Sequence, residues 1–265
     1  DPSMDEPVGN RFFSGNFDYI EYTVDGFIGT GVTVIAGAAG VGKTSAIVPF
    51  AALVAGLWSV PNINIELRRK VVYVTEDPGQ LRRIVKGMMI KEANCASANE
   101  FDEWFHVVSA NRRKPEQLAQ SIQHWREQYA YEADARHNHY IVEPLIIFDT
   151  SNATIDLENE NDNSEIGKAI GTIKTNLKGG SLWLVAHLSK AVTRNTAPDD
   201  LSPRGGGAFV GDAHGVAYLI KDEEISDKRY FVLGKRRFEA LFSEIEIDTI
   251  TGLSLIHISE PTRPE

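Results

Sequence analysis

Val32–Thr44 reads VTVIAGAAGVGKT, and the fold is decided there. A run of β-prone residues enters a glycine-rich loop, and the apolar run Ala46–Val60 leaves it. The loop GAAGVGKT at Gly37–Thr44 satisfies G-x-x-x-x-G-K-[ST] at every position, and a strand before it with a helix after it is the context that gives this pattern meaning. Glycines let the backbone wrap a phosphate with N–H groups turned inward, and the N-terminus of the following helix adds positive potential. The phosphate-binding stretch is therefore expected at Gly37, Ala38, Ala39, Gly40, Val41, Gly42, Lys43, Thr44 and Ser45. Lys43 would place its charge on the β- and γ-phosphates of a nucleotide, and Thr44 its hydroxyl on magnesium, a pattern shared by kinases, GTPases, transporters and motor ATPases.

Outward from the loop, apolar runs alternate with segments of helical period. Val32–Ala36, Val71–Val74, Phe105–Val108, Leu145–Phe148 and Leu182–Ala186 are expected as strands of a parallel sheet, apolar on both faces because helices cover both. Leu81, Ile84, Val85 and Met88 form one helical stripe, and Leu118, Ile122, Trp125 and Tyr129 a second. Ile166, Ala169, Ile170, Ile173 and Leu177 form a third, opening after a cap-like Asn163. Beyond Gly215 the spacing changes. Val216–Ile220 and Arg229–Leu233 are separated only by the polar loop KDEEISDK, and Glu244–Asp248 alternates polar with apolar. Connections too short for a helix force antiparallel pairing. The expected fold class is α/β, a doubly wound and mainly parallel sheet with antiparallel C-terminal strands. Ser189–Gly207, with few apolar residues, reads as a long mobile loop.

Composition removes several alternatives. The 265 residues are 42% hydrophobic, enough to bury a large core and too many for a disordered chain. A single Cys95 excludes an intramolecular disulfide and suits a cytoplasmic location. No secretion signal opens the chain, and Ala46–Val60 is too short to span a bilayer, so no membrane association is expected. The net charge of −10 means that any nucleic-acid contact needs a local basic strip.

The two ends stand apart. The chain opens at Asp1, so residues 1–16 are expected to be an N-terminal extension cut short, with Met4 a candidate start. Leu253–Arg263, LSLIHISEPTR, matches the in-frame translation of a transposase adapter from sequencing libraries, so residues 253–265 are set aside as non-native and 17–252 taken as the ATPase domain.

Acidic residues at strand ends narrow the chemistry. In a doubly wound sheet the C-terminal strand ends converge on the ligand crevice. PLIIFDTSN puts Asp149 there as the magnesium carboxylate, and VVYVTEDP puts Glu76 there to polarise an attacking water, leaving Asp77 to cap the next helix. LWLVAHLSK puts His187 at a further strand end, within reach of a γ-phosphate. The His137 and His139 pair lies in what reads as a polar, solvated loop with no metal partners at ligand spacing.

Taken together, GAAGVGKT, VVYVTEDP, PLIIFDTSN and LWLVAHLSK resemble the RecA-like motor ATPases, in particular the branch of the plasmid-encoded RepA hexameric replicative helicase. The likeness runs from about Phe17 to Phe238 and includes SPRGGGAFVGDAHG. It implies that Glu76 activates water, that Asp149 serves magnesium, that His187 senses the γ-phosphate, and that the loop after it faces single-stranded DNA. Lys190, Arg194 and Arg204 are the loop's candidate DNA contacts. In LGKRRF, Lys235 and Arg237 look like the K-x-R pair that such ATPases extend into a neighbour's site, which implies a homo-oligomeric ring, a hexamer in that branch. One departure is His214, standing where those helicases carry an arginine finger. The expected function is thus an ATP-hydrolysing motor on DNA, a replicative helicase of plasmid or phage type. The alternatives are a RecA-like recombinase ATPase and a KaiC-like regulatory switch, with a small-molecule kinase more distant.

Overall fold

The computed structural model describes residues 22–61, 63–135, 138–159, 162–188, 201, 203, 206–241, 243–248 and 255–257. In chain order these form β1 (Tyr22–Val24), β2 (Ile28–Gly29), β3 (Gly31–Gly37), α1 (Lys43–Val54), β4 (Val71–Thr75), α2 (Pro78–Lys91) and α3 (Ala98–Trp104). There follow β5 (Phe105–Ser109), α4 (Pro115–Tyr129), β6 (Tyr131–Ala135), β7 (Asn138–Val142), β8 (Leu145–Asp149), α5 (Ser151–Thr154) and α6 (Asn163–Lys174). The last elements are β9 (Ser181–His187), α7 (Gly206–Asp212), β10 (Gly215–Lys221), β11 (Lys228–Arg236), β12 (Glu244–Asp248) and β13 (Leu255–His257).

All five predicted parallel strands form, and they join one sheet in the order β13-β12-β11-β10-β3-β9-β8-β4-β5. From β10 to β5 every neighbour is parallel, whereas β11, β12 and β13 add on antiparallel. The apolar runs explain the arrangement: with side chains alternating between faces, the odd residues Tyr73, Ile147, Trp183 and Val185 pack against α1 and α2. The even residues Val72, Ile146, Leu182 and Leu184 pack against α4 and α6. Two cores, one per face, are what a doubly wound sheet requires.

Helix α1 is buried along nearly its whole length, with Pro49 inside it. Phe50 from this helix meets Phe27, Trp183 and Phe231 at ring-centroid distances of 6.2, 6.4 and 5.1 Å. It thereby ties α1 to the parallel sheet through β9 and to the antiparallel extension through β11. Phe50→Ala is expected to cost about 3–5 kcal/mol, visible as a lower urea midpoint at unchanged m-value.

Several expectations are corrected. Strand β5 is not apolar and buried on both faces: it is the sheet edge, and Val107 there is 42% exposed. The cap of α6 is Asp162, whose carboxylate accepts from the N–H groups of Ser164 and Glu165, so Asn163 is the first helical residue. His139 is in a strand, not a polar loop: β6 and β7 pair antiparallel with His139 opposite Asp134, and His137 lies outside the described residues. The alternating residues of β6 and the short apolar run of β7 suit a partly exposed hairpin and hid it from an apolar-run search. Lys221 and Lys228 extend β10 and β11 into the expected KDEEISDK loop. Gly206 and Gly207 begin α7 instead of ending the long loop.

Candidate nucleotide site

The loop between β3 and α1 turns on two glycines with positive φ, Gly40 at 72° and Gly42 at 89°, a region that disfavours any side chain. At Gly37 a Cβ would come within 2.9 Å of Val41 Cγ1, so the start of the loop also requires glycine. Arg229, reaching from β11, donates from Nε to the Val41 carbonyl at 2.8 Å. A second donor, Nη1, bonds the carbonyls of Ser226 and Lys228, so the guanidinium is held at its base while it steadies the loop. Arg229→Ala removes a charged hydrogen bond worth about 1.5–3 kcal/mol. The expected result is weaker ATP binding, by roughly tenfold or more, measured by calorimetry.

Lys43 opens α1 and is 8% exposed. Its Nζ donates to the carbonyls of Gly37 at 3.1 Å and Ala38 at 3.0 Å, and lies 3.2 Å from His187 Nδ1. An ammonium only donates, so Nδ1 accepts and a neutral ring carries its proton on Nε2. Burial lowers the Lys43 pKa below the ordinary lysine value, and the nearby Asp149 carboxylate offsets part of that shift. The strand register makes this meeting unavoidable: β3 and β9 pair Gly37 with His187, and Leu188 N–H bonds Gly37 O at 3.2 Å.

Next along the helix, Thr44 Oγ1 donates to Asp149 Oδ2 at 2.8 Å. Tyr73, from β4, donates its hydroxyl to the same oxygen at 2.7 Å. The β4–β8 register sets Thr75 opposite Asp149 and Tyr73 opposite Ile147, on the face that packs α1. Burial above all, then the Asp149 charge and the hydrogen bond, push the Tyr73 pKa well above its normal value, so it remains a donor. Sequence reasoning missed Tyr73, because a tyrosine in an apolar strand reads as core. It missed Arg229 too. The peptide bond between Asp149 and Thr150 is cis.

Glu76 stands exposed one residue beyond Thr75, at the same end of the sheet. Asp77 caps α2, accepting from Gln80 N–H at 2.8 Å. Lys43, Thr44, Asp149 and His187 are thus joined by direct contacts, while Glu76 is brought alongside by register alone.

Lys235 and Arg237 lie elsewhere. Strand β10 runs parallel to β3 and β11 antiparallel to β10, so the end of β11 lies toward the start of β3, with Arg236 level with Thr33, roughly 13 Å along the sheet from Gly37. Both residues are exposed, and Arg237 Nη2 donates to Gly211 O at 2.6 Å, near the end of α7. His214 is a latch between strands: its Nδ1 accepts from Val32 N–H at 3.0 Å, and its own N–H bonds Val32 O at 2.8 Å. Burial, then the charges of Lys174 and Arg237, lower its pKa, which keeps the ring neutral for that acceptor role. Lys190, Arg194 and Arg204 lie outside the described residues.

The family model of the AAA domain matches residues 3–192. The chain belongs to the AAA domain family. Among curated proteins, none matches significantly by sequence. The ATPase domain of G40P superposes with a TM-score of 0.59 at 12% identity, covering 86% of this chain and 84% of that one. A DnaB-like replicative helicase, solved in a study of its interactions with primase, gives a TM-score of 0.55 at 13% identity, covering 85% of this chain and 58% of that one. This AAA-family chain therefore has the RecA-like fold of helicase ATPase domains, a P-loop unit of the ATPase type. Among the described residues no helix is long and apolar enough to cross a membrane.

Proposed function

We propose that this chain hydrolyses ATP and couples the reaction to movement along DNA, as a replicative helicase of plasmid or phage type assembled in a hexameric ring. Residues 17–252 form its ATPase domain, working in the cytoplasm. The observation that carries this reading is the 2.8 Å contact between Thr44 Oγ1 and Asp149 Oδ2 at the mouth of the phosphate loop. Two hard oxygen donors set side by side suit magnesium, which takes one or two protein oxygens and completes its shell with phosphate and water. Thr44 and Asp149 would hold the ion, and the ion would neutralise charge on the β- and γ-phosphates.

The chain's own residues divide the remaining work. Loop amides and the positive end of α1 grip the phosphates. Lys43 exchanges the carbonyls of Gly37 and Ala38 for phosphate oxygens. Glu76 orients the attacking water and receives its proton, standing just past the end of the strand next to that of Asp149. His187, already against Lys43, reports the state of the γ-phosphate to the segment that follows it. Lys235 and Arg237, too distant to serve this chain's own loop, act on a neighbour's phosphate.

Steady-state ATPase with and without single-stranded DNA, alongside sizing in nucleotide, tests the proposal. Stimulation by DNA and a ring-sized assembly are expected; hydrolysis with no DNA response at low salt would reject the motor. That second outcome would favour a regulatory nucleotide switch. The latch role of His214 and the net charge of −10 are what speak for the switch.

A further inference from the structure

A run of three cations, Arg112-Arg113-Lys114, follows β5 and is absorbed by nothing described so far. Its two arginines and α4 form a groove of about 690 Å³ lined by Arg112, Arg113, His124, Asn111, Gln117 and Gln120, among others, with the exposed Lys114 next in the chain just outside the lining. None of the lining residues is acidic. In a chain with 37 carboxylates against 27 Lys and Arg, such a stretch is a local reversal of the prevailing field. Glu116 and Asp156 flank the groove without lining it.

Its place in the fold is specific. Strands β4 and β5 are parallel and pair Thr75 with Ser109, and Ala110 N–H bonds Thr75 O at 2.8 Å. The groove therefore opens at the nucleotide end of the sheet. Its cationic segment is stitched onto α5, the short helix just after Asp149. Arg112 Nε donates to Asn152 O at 3.0 Å, Arg113 N–H to Thr154 O at 3.0 Å, and Asp156 N–H to Arg113 O at 2.9 Å. Inside, Arg113 Nη1 donates to Ser121 Oγ at 2.8 Å, which fixes the guanidinium in the wall. Trp125 is only 8% exposed, so its ring is not offered for stacking on a base.

We propose that this groove binds the sugar-phosphate backbone of single-stranded DNA, as a second seat besides the segment that begins after Leu188. The inference rests on the DNA-motor reading above. Cations with neutral amides, and no exposed Phe, Tyr or Trp in the lining, suit phosphates and sugars without reading bases. A nucleic-acid strand is favoured over an acidic peptide because the groove shares its end of the sheet with the C-terminus of β9, where the expected DNA loop starts. Through α5 the groove is linked covalently and by hydrogen bonds to the strand that carries Asp149.

Fluorescence anisotropy of labelled oligothymidylate across a salt series, using the full chain, tests this. Arg112→Gln with Lys114→Gln is expected to weaken binding at least tenfold at low salt, and to flatten the log K against log salt slope by about 0.7 for each phosphate no longer neutralised. Gln120→Lys, which adds a cation on the exposed wall, is expected to tighten binding and steepen the slope. This second variant, with thermal melting of both, separates the effect from misfolding. If the unaltered protein binds and both variants keep its affinity and slope, the groove inference alone is overturned. If the unaltered protein fails to bind at low salt, the motor reading falls and takes the groove with it. Polyglutamate displacing the probe as effectively as unlabelled oligothymidylate at matched charge would assign the groove to an acidic protein partner and overturn the proposal.

Discussion

Lys43→Ala is expected to reduce ATP hydrolysis by about 10²–10³-fold, the loss that follows removal of one preorganised donor from developing charge. The structure states why one amino group matters this much. Its three contacts, to Gly37 O, Ala38 O and His187 Nδ1, fix the ammonium at the centre of the loop, 8% exposed. On the proposed reading, a charge held there would meet the terminal phosphates with little reorganisation. The same burial lowers the lysine pKa, so the native state bears a desolvation cost that alanine does not. Melting temperature is therefore expected to stay near that of the unaltered chain while turnover collapses. A variant that lost turnover by unfolding would contradict the assignment of Lys43 to phosphate binding. Single-turnover assays paired with thermal melts distinguish the two.

The second large effect is expected at Arg237. A cation supplied to a neighbour's transferring phosphoryl group contributes about 10³–10⁵ in rate, so Arg237→Ala should approach Lys43→Ala in severity although the two residues occupy opposite ends of the sheet. The discriminating measurement mixes the two inactive variants. In a mixed ring some interfaces pair the intact loop of one subunit with the intact arginine of the next, and head-to-tail geometry makes about a quarter of them whole. Activity is expected to reappear on mixing. If it does not, while sizing shows mixed assemblies, Arg237 acts within its own chain or only as an anchor for Gly211.

How far the sequence revealed this arrangement depends on the kind of signal each residue leaves. The central parallel strands were legible because both faces are covered, which forces continuous apolar runs such as LIIF at Leu145–Phe148. The edge strand β5 misled for the same reason: its apolar residues include the exposed Val107, and nothing local marks a strand as last in a sheet. The ribbon β6–β7 was missed because β6 alternates polar with apolar residues and β7 offers an apolar run of only three, Tyr140–Val142.

In the site, the phosphate loop was legible because its glycines answer to backbone geometry, here positive φ at Gly40 and Gly42. Asp149 and His187 followed from their places at strand ends. Tyr73 did not, since its hydroxyl acquires a task only once register sets it beside Asp149. Arg229 was beyond reach for a different cause. Its partner is a backbone carbonyl more than 180 residues away, which leaves no mark on residue type at either position.

That remote bond ties two regions 188 residues apart in the chain. Arg229 sits on the antiparallel flank, next to Tyr230 in the hairpin with β10, and holds Val41 in the phosphate loop. Tightening of the loop around a guest would then be transmitted as tension to the flank, slowing deuterium uptake at amides of Tyr218–Lys221 and Arg229–Val232. In Arg229→Ala the flank would become deaf to the nucleotide while the strands around Asp149 still respond.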